Sequence, residues 1–203
     1  MRRKISRLRQ GLTPLMALAL LAPVLVPMSG CAPLLVGAAA TTGVVVATDR
    51  RKTGAQLDDT TTSTAIAYKV NAQYGERVRV SVTSYNGIIL LTGEVPDQTI
   101  WDGVAQIAAK EERVRAVENE LLIGSLSSLS SRANDSYITS KVKARFVDSQ
   151  FSPTHVKVVT ERGTVYLMGL VKRAEGAQAA DIARKTSGVK RVVLIFEYTD
   201  ENP

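Results

Sequence analysis

Apolar and polar positions change their spacing several times along this chain, and the same order of changes occurs twice. Ile66, Val70 and Tyr74 recur at i, i+4, i+8, the spacing of one buried helix face, and Ile138, Val142 and Phe146 repeat it. After the first of these helices, Val78, Val80 and Val82 alternate with Arg79, Ser81 and Thr83, the period of a half-buried strand. Asn86-Gly87 then supplies two residues that tolerate positive φ, a strong signal for a tight hairpin. The next stretch, "IILLTGEV", is apolar almost without alternation, which predicts a central strand buried on both faces. Pro96 and Asp97 end that strand, Asp97 can cap a helix, and Ile100, Val104, Ile107 and Ala108 mark its apolar stripe. A last strand follows around "AVENELLI". The predicted order is α, β, β, α, β: an antiparallel hairpin, then a helix crossing over to a parallel third strand.

The second copy is legible residue by residue. "VRVSVTSYNGIILLTGEV" lies over "HVKVVTERGTVYLMGLV", matching Val80 with Val156, Val82 with Val158, Gly87 with Gly163 and Gly93 with Gly169. "IAAKEERVRAVENEL" lies over "IARKTSGVKRVVLIF", matching Val114 with Val189 and Val117 with Val192. Arg162-Gly163 takes the hairpin place, and about four extra residues near "DSQFSPT" separate the first helix of this copy from its first strand. Between the copies, "GSLSSLSSRAND" predicts a linker that also brings Asn134 or Asp135 to cap the next helix. The fold class is α+β, two tandem modules, each a three-stranded mixed sheet packed on two helices. The expected boundaries are 58–124 and 134–199, with a linker at 125–133 and a tail at 200–203. Each module is small for an independent core, so contact between them is expected.

The N-terminus reads differently. "MRRKISRLRQ" carries five basic residues, and the following "LTPLMALALLAPVLVPM" is apolar, broken by three prolines and short of a bilayer span, so residues 1–30 predict a secretory signal. Ser29-Gly30-Cys31 resembles the lipobox of bacterial lipoproteins, which implies lipidation of Cys31, the chain's single cysteine. The alternative is a signal peptide with an incidental cysteine near its end. Residues 31–57 are then the lipidated start and a tether, although Leu34–Thr48, rich in small apolar residues, reads equally as a buried element of the first module. Removing residues 1–30 also changes the charge. The formal +7 becomes 21 basic against 19 acidic residues, which disfavours nucleic acid as a partner. The remainder is uneven: 9 basic and 11 acidic residues over 31–131, 12 and 8 over 132–203.

Two αββαβ repeats behind a lipoprotein signal, with Gly87 to Gly93 and Gly163 to Gly169 each spelling "GxxxLxG", resemble the BON-domain family over nearly all of Cys31 to Tyr198. The blocks "NDSYITSKVKARF", "VKVVTERGTVYLMGLV" and "AADIARKTSGVKRV" carry the likeness most specifically. The resemblance implies a lipid-anchored protein on the periplasmic face of the outer membrane. It further implies binding of anionic phospholipid through the first helix of the second domain, gathering at division sites, and support of envelope integrity. Ala32 after the cysteine fits outer-membrane sorting.

On a helical wheel, Tyr137, Ser140, Ala144 and Val147 fall opposite the stripe of Ile138, Val142 and Phe146, flanked by Lys141 and Lys143. An aromatic with a polar tip, small apolar neighbours and lysines that snorkel suit a headgroup boundary, and each lysine adds about 1 kcal/mol near an anionic surface. The alternative is a solvated helix face whose Tyr137 packs on the neighbouring domain. By the resemblance, Tyr137 stands where the best-known relatives have a tryptophan important for membrane binding, which implies weaker or more selective binding. Copy one offers Ala65, Tyr68, Lys69, Ala72 and Gly75 at the places aligned with Tyr137, Ser140, Lys141, Ala144 and Val147. His155 has no second histidine or a nearby cysteine with which to share a metal, and Trp101 reads as packing. Asp58-Asp59 and Glu111-Glu112 read as capping or solvated pairs, and Gly93 and Gly169 as sites of a bulge or a close helix. No nucleophile, base and orienter stand together, so no catalytic site, metal or cofactor is expected. Two function classes follow: a module binding anionic phospholipid membranes, or a periplasmic adaptor or stress scaffold that binds envelope proteins with incidental lipid contact.

Overall fold

The computed structural model describes residues 50–200 apart from Lys52, Gln150 and Pro153; residues 1–30, Cys31 and the segment 34–48 lie outside the described residues. Its elements are α1 (Thr53–Tyr74), a single 3-10 turn (Gly75–Arg77), β1 (Arg79–Tyr85), β2 (Ile88–Val95), α2 (Gln98–Ala109) and β3 (Ala116–Ile123). The second repeat follows with α3 (Leu129–Asp148), β4 (Val156–Glu161), β5 (Thr164–Val171), α4 (Arg173–Arg184) and β6 (Arg191–Tyr198). Each repeat has one sheet, β1-β2-β3 or β4-β5-β6, whose central strand is antiparallel to the first and parallel to the third. This is the predicted α+β architecture, with "IILLTGEV" central as its hydrophobicity required.

The parity of β2 explains why it lacks alternation. Ile89, Leu91 and Val95 face the helices, where they join Ile66, Val70, Ile100, Val104 and Ala108 in one buried cluster. Leu90 faces the other way and packs with Tyr85, Tyr166 and Met168, so the second face of each sheet is covered by the sheet of the other repeat. In the second repeat Val165, Leu167 and Val171 close a matching cluster with Ile138, Val142 and Phe146. The layers therefore run helices, sheet, sheet, helices. Burial of each large apolar side chain between the sheets is worth about 1.5–3 kcal/mol gross, which explains how two small modules hold together.

The hairpins carry an anchor that the sequence pattern did not reveal. Asn86 and Gly87 have φ of 51° and 78°, and Arg162 and Gly163 have 49° and 80°, so both turns are of the two-residue type in which both φ are positive. Asp59 of α1 accepts the amides of Asn86 and Gly87 at 2.7 and 2.9 Å and the Ser84 hydroxyl at 2.6 Å. Asp135 of α3 accepts those of Arg162 and Gly163, both at 2.8 Å. Burial raises the Asp59 carboxyl, but hydrogen bonds from Ser84, the two turn amides and Arg51 outweigh it and hold it below the usual carboxylate range. Asp59 is thus a buried structural anchor rather than a solvated member of an acidic pair. Nor does Asp135 cap its helix: Ser128 does, accepting from the Ser131 amide at 3.2 Å, and the helix runs through Asn134 and Asp135.

These anchors correct the alignment of the repeats. Asp59 and Asp135, Gly87 and Gly163, and Gly93 and Gly169 all share one offset, 135 − 59 = 163 − 87 = 169 − 93 = 76 residues. The first helices therefore match Ile66 with Val142 and Val70 with Phe146, one turn away from the expected pairing. The four extra residues are no insertion. α3 ends earlier relative to its strand, and Phe151 folds back with its ring centroid 4.9 Å from that of Phe146. Gly93 and Gly169 prove to be close approaches of strand to strand, not bulges or helix contacts. A Cβ on Gly93 would stand 1.9 Å from the Arg79 carbonyl oxygen, and one on Gly169 2.5 Å from that of His155.

Candidate functional site

α3 is built with two opposed faces. Asp135, Ile138, Val142 and Phe146 are buried against the second sheet, which turns the other side of the helix outward. There Tyr137 is 63% exposed and Val147 62%, with Ser140, Ala144 and Lys143 exposed as well. Tyr137 is not buried against the first repeat. Its ring instead lies 5.2 Å from the Lys141 ammonium, which donates to the Ser187 carbonyl at 2.7 Å and so sits between the aromatic and the loop after α4. The Ser140 hydroxyl donates back to the Ser136 carbonyl at 3.0 Å, a bond that leaves this position with little outward polarity. Arg145 donates to the Lys185 carbonyl. All six predicted face residues lie on one helix; five of them are exposed, while Lys141 is half-buried with its charge partly tied down and Lys143 carries an exposed charge.

The apolar stripe is longer than the sequence pattern implied. Because α3 starts at Leu129, Leu129 (76% exposed) and Ala133 continue the line toward the N-terminus, giving a strip about 27 Å long. Leu126 is exposed just ahead of it. The serine-rich composition of 125–131 hid this, although Ser128 directly before a leucine is itself a helix-start signal.

The corrected register sharpens the contrast with the first repeat. Thr61, Thr64, Ala65, Tyr68 and Asn71 of α1 occupy the places of Tyr137, Ser140, Lys141, Ala144 and Val147, in place of the Ala65, Tyr68, Lys69, Ala72 and Gly75 first expected, and Ala67 stands at the place of Lys143. Both lysines therefore have alanine counterparts. Lys69, on the neighbouring face, pairs with Glu111 at 2.5 Å. A cationic outer helix is a property of the second repeat alone.

Charged groups also line the seam between the sheets. Glu94 is fully buried and accepts from Nε of Arg79 at 2.8 Å and Nε of Arg162 at 2.7 Å, while Arg79 also bonds Glu161. Asn86 and Arg115 reach Glu197, and Arg191 reaches Glu120, each across the seam. Among the described residues no group of three or more His, Cys, Asp or Glu side chains is placed to hold a metal ion, and no helix is long and apolar enough to cross a membrane. His155 is half-buried ahead of β4 beside Glu175, and the Trp101 indole N–H donates to the Leu121 carbonyl at 3.0 Å within the first core.

Two αββαβ units stacked sheet to sheet, with an amphipathic basic helix on the outside, define a tandem α+β repeat protein. The BON domain profile matches residues 58–125 and 134–198. The chain therefore belongs to the BON-domain family. It is 40% identical over 192 residues, 93% of this chain and 99% of the relative, to the outer membrane lipoprotein DolP of Haemophilus influenzae. It is also 34% identical to the 21 kDa hemolysin of Actinobacillus pleuropneumoniae, covering 74% of this chain and 79% of that one. The osmotically-inducible protein Y of Escherichia coli K12 is 30% identical, covering 74% and 77%. These likenesses make the chain an envelope-associated BON protein with its place, lipid-anchored, at the outer membrane.

Proposed function

We propose that this chain is a non-catalytic envelope protein that is lipidated at Cys31, binds anionic phospholipid through α3 of its second repeat, and supports envelope integrity at division sites. The observation that carries the lipid reading is the outward stripe of Leu129, Ala133, Tyr137, Ala144 and Val147 with Lys141 and Lys143 beside it. Such a strip lies in the plane of an interface, its apolar edge shallowly inserted and its lysines over the headgroups. Lipidation adds membrane residence, and tethering raises the effective concentration of the weak second contact. The resemblance to the BON family supports the division-site role.

Vesicle co-sedimentation tests the lipid contact on the chain from Val45 onward, which holds both cores and omits Cys31. The parent pellets with phosphatidylglycerol vesicles and not with phosphatidylcholine vesicles, and Tyr137→Glu with Val147→Glu lowers the affinity at least tenfold. Lys143→Glu is the cleaner charge test, because Lys141 also holds the loop at Ser187. Equal binding of parent and double variant would remove α3 from the lipid contact and favour an adaptor that recognises envelope proteins.

A further inference from the structure

The chain passes from one repeat to the other through residues 124–128, between β3 and α3, yet a second link lies at the opposite end. Arg50 stands just ahead of α1 and so belongs by sequence to the first repeat. Its guanidinium reaches the second repeat, donating to the two carboxylate oxygens of Glu175 at 2.6 and 2.7 Å, and to the Leu170 carbonyl at 3.4 Å. The adjacent Arg51 holds the first repeat, with Nη1 2.7 Å from Asp59 and its guanidinium carbon 4.2 Å from the Tyr85 ring centroid. Tyr85 itself crosses the seam, its hydroxyl accepting the Leu170 amide at 3.3 Å. Two consecutive arginines therefore grip opposite repeats around Leu170, whose amide and carbonyl are both engaged from the other side. The two-point fork on Glu175 is the strong form of such a pair. The hydrogen bond from Arg50 also pulls the Glu175 carboxyl down to about 2.

We propose that Arg50 and Arg51 form a clasp: these two residues ahead of α1 lock the two repeats sheet to sheet, so that their engagement and closure of the seam are coupled.

The test uses the mature lipidated chain in phospholipid nanodiscs and two readouts. One is hydrogen exchange at the Leu170 amide, which reports seam opening because its partner is Tyr85. The other is the spin-label distance between Gln106→Cys on α2 and Arg184→Cys on α4. Arg50→Ala raises Leu170 exchange about fivefold and broadens the distance distribution, leaving Val104 and Val142 amides in the two cores at parental rates. Arg50→Lys, which keeps the charge but not the fork, falls between. Parental exchange and distance in Arg50→Ala would overturn the clasp, and so would a proportional rise at Val104 and Val142, which would mean general destabilisation.

Discussion

Glu94 and Glu161 share Arg79, yet the protein treats their charges in opposite ways, and replacing each by glutamine separates the two. At Glu94, burial alone would raise the carboxyl, but hydrogen bonds from Arg79 and Arg162 win and hold it below the usual range. At Glu161 burial again raises the carboxyl, and Arg79 lowers it too little to compensate, so it stays above the usual range. Glu94→Gln keeps the shape and removes the charge from two guanidinium contacts. A hydrogen bond to a charged group is worth about 1.5–3 kcal/mol, and because Arg79 and Arg162 are partly in water the low end applies to each, for a loss of about 3 kcal/mol. In a unit of this size that corresponds to a fall in Tm of about 6–12 °C. Glu161→Gln removes a charge the fold already disfavours and should change stability by less than about 0.5 kcal/mol, or increase it. Guanidinium melts followed by far-ultraviolet circular dichroism at pH 7 measure both. The sign with pH follows: the Glu94 contribution is full above about pH 4.5 and is lost as pH falls through its lower folded value, whereas Glu161 gains stability as pH falls through its raised one. A larger loss from Glu161→Gln than from Glu94→Gln would refute the assignment of Glu94 as the central charge of the seam.

Gly93→Ala and Gly169→Ala should each cost more than about 3 kcal/mol in thermal melts. Gly93 should suffer more, since its Cβ would meet the Arg79 carbonyl at 1.9 Å on a backbone at φ 118°. Asp135→Ala strands the amides of Arg162 and Gly163 and leaves Arg162 at positive φ without its restraint; a loss of about 2 kcal/mol is expected in urea melts, with amide exchange at both residues raised.

Where a feature depends on local chemistry, the sequence was a sufficient guide. The Asn86-Gly87 turn and the Asp97 cap, whose carboxylate accepts the Ile100 amide at 2.9 Å, stand as predicted, and Val78, Val80 and Val82 do face the helix core. The strand is not half-buried, however, because Thr83 and Tyr85 on its other face are buried as well where the other repeat's sheet covers them. The helix register was another matter. Ile66, Val70 and Tyr74 match Ile138, Val142 and Phe146 equally well one turn apart, because an apolar stripe repeats itself every turn. Only the buried carboxylates of Asp59 and Asp135, each reaching a turn of its own repeat, fix the pairing, and nothing in a helical period marks a carboxylate as buried. The start of α3 was hidden for a related reason. Serines serve both as linker and as cap, and the choice was made by Ser128 together with packing of the helix on the second sheet.

Stacking the repeats through their sheets has a consequence for the outer helices. Once both inner sheet faces are consumed by the seam, each repeat has only its helix layer left to present outward, and the two layers differ. α1 shows Leu57, Thr61, Thr64 and Tyr68, an uncharged face, and α3 shows Tyr137, Val147 and Lys143. The charge difference between the halves of the chain is thereby displayed on opposite outer layers of one body instead of being averaged over it. Under the proposed lipid contact, a protein held near a bilayer by its N-terminus turns a single layer, the cationic one, toward anionic headgroups, while the first repeat's layer, with Asp58, Asp59 and Asp102 against Lys69, gains nothing from that field. The asymmetry survives only while the seam is closed. If α3 binds lipid as proposed, every residue that holds the seam, Glu94 between two arginines, Tyr85 on Leu170 and Arg50 on Glu175, tunes that contact without touching the membrane.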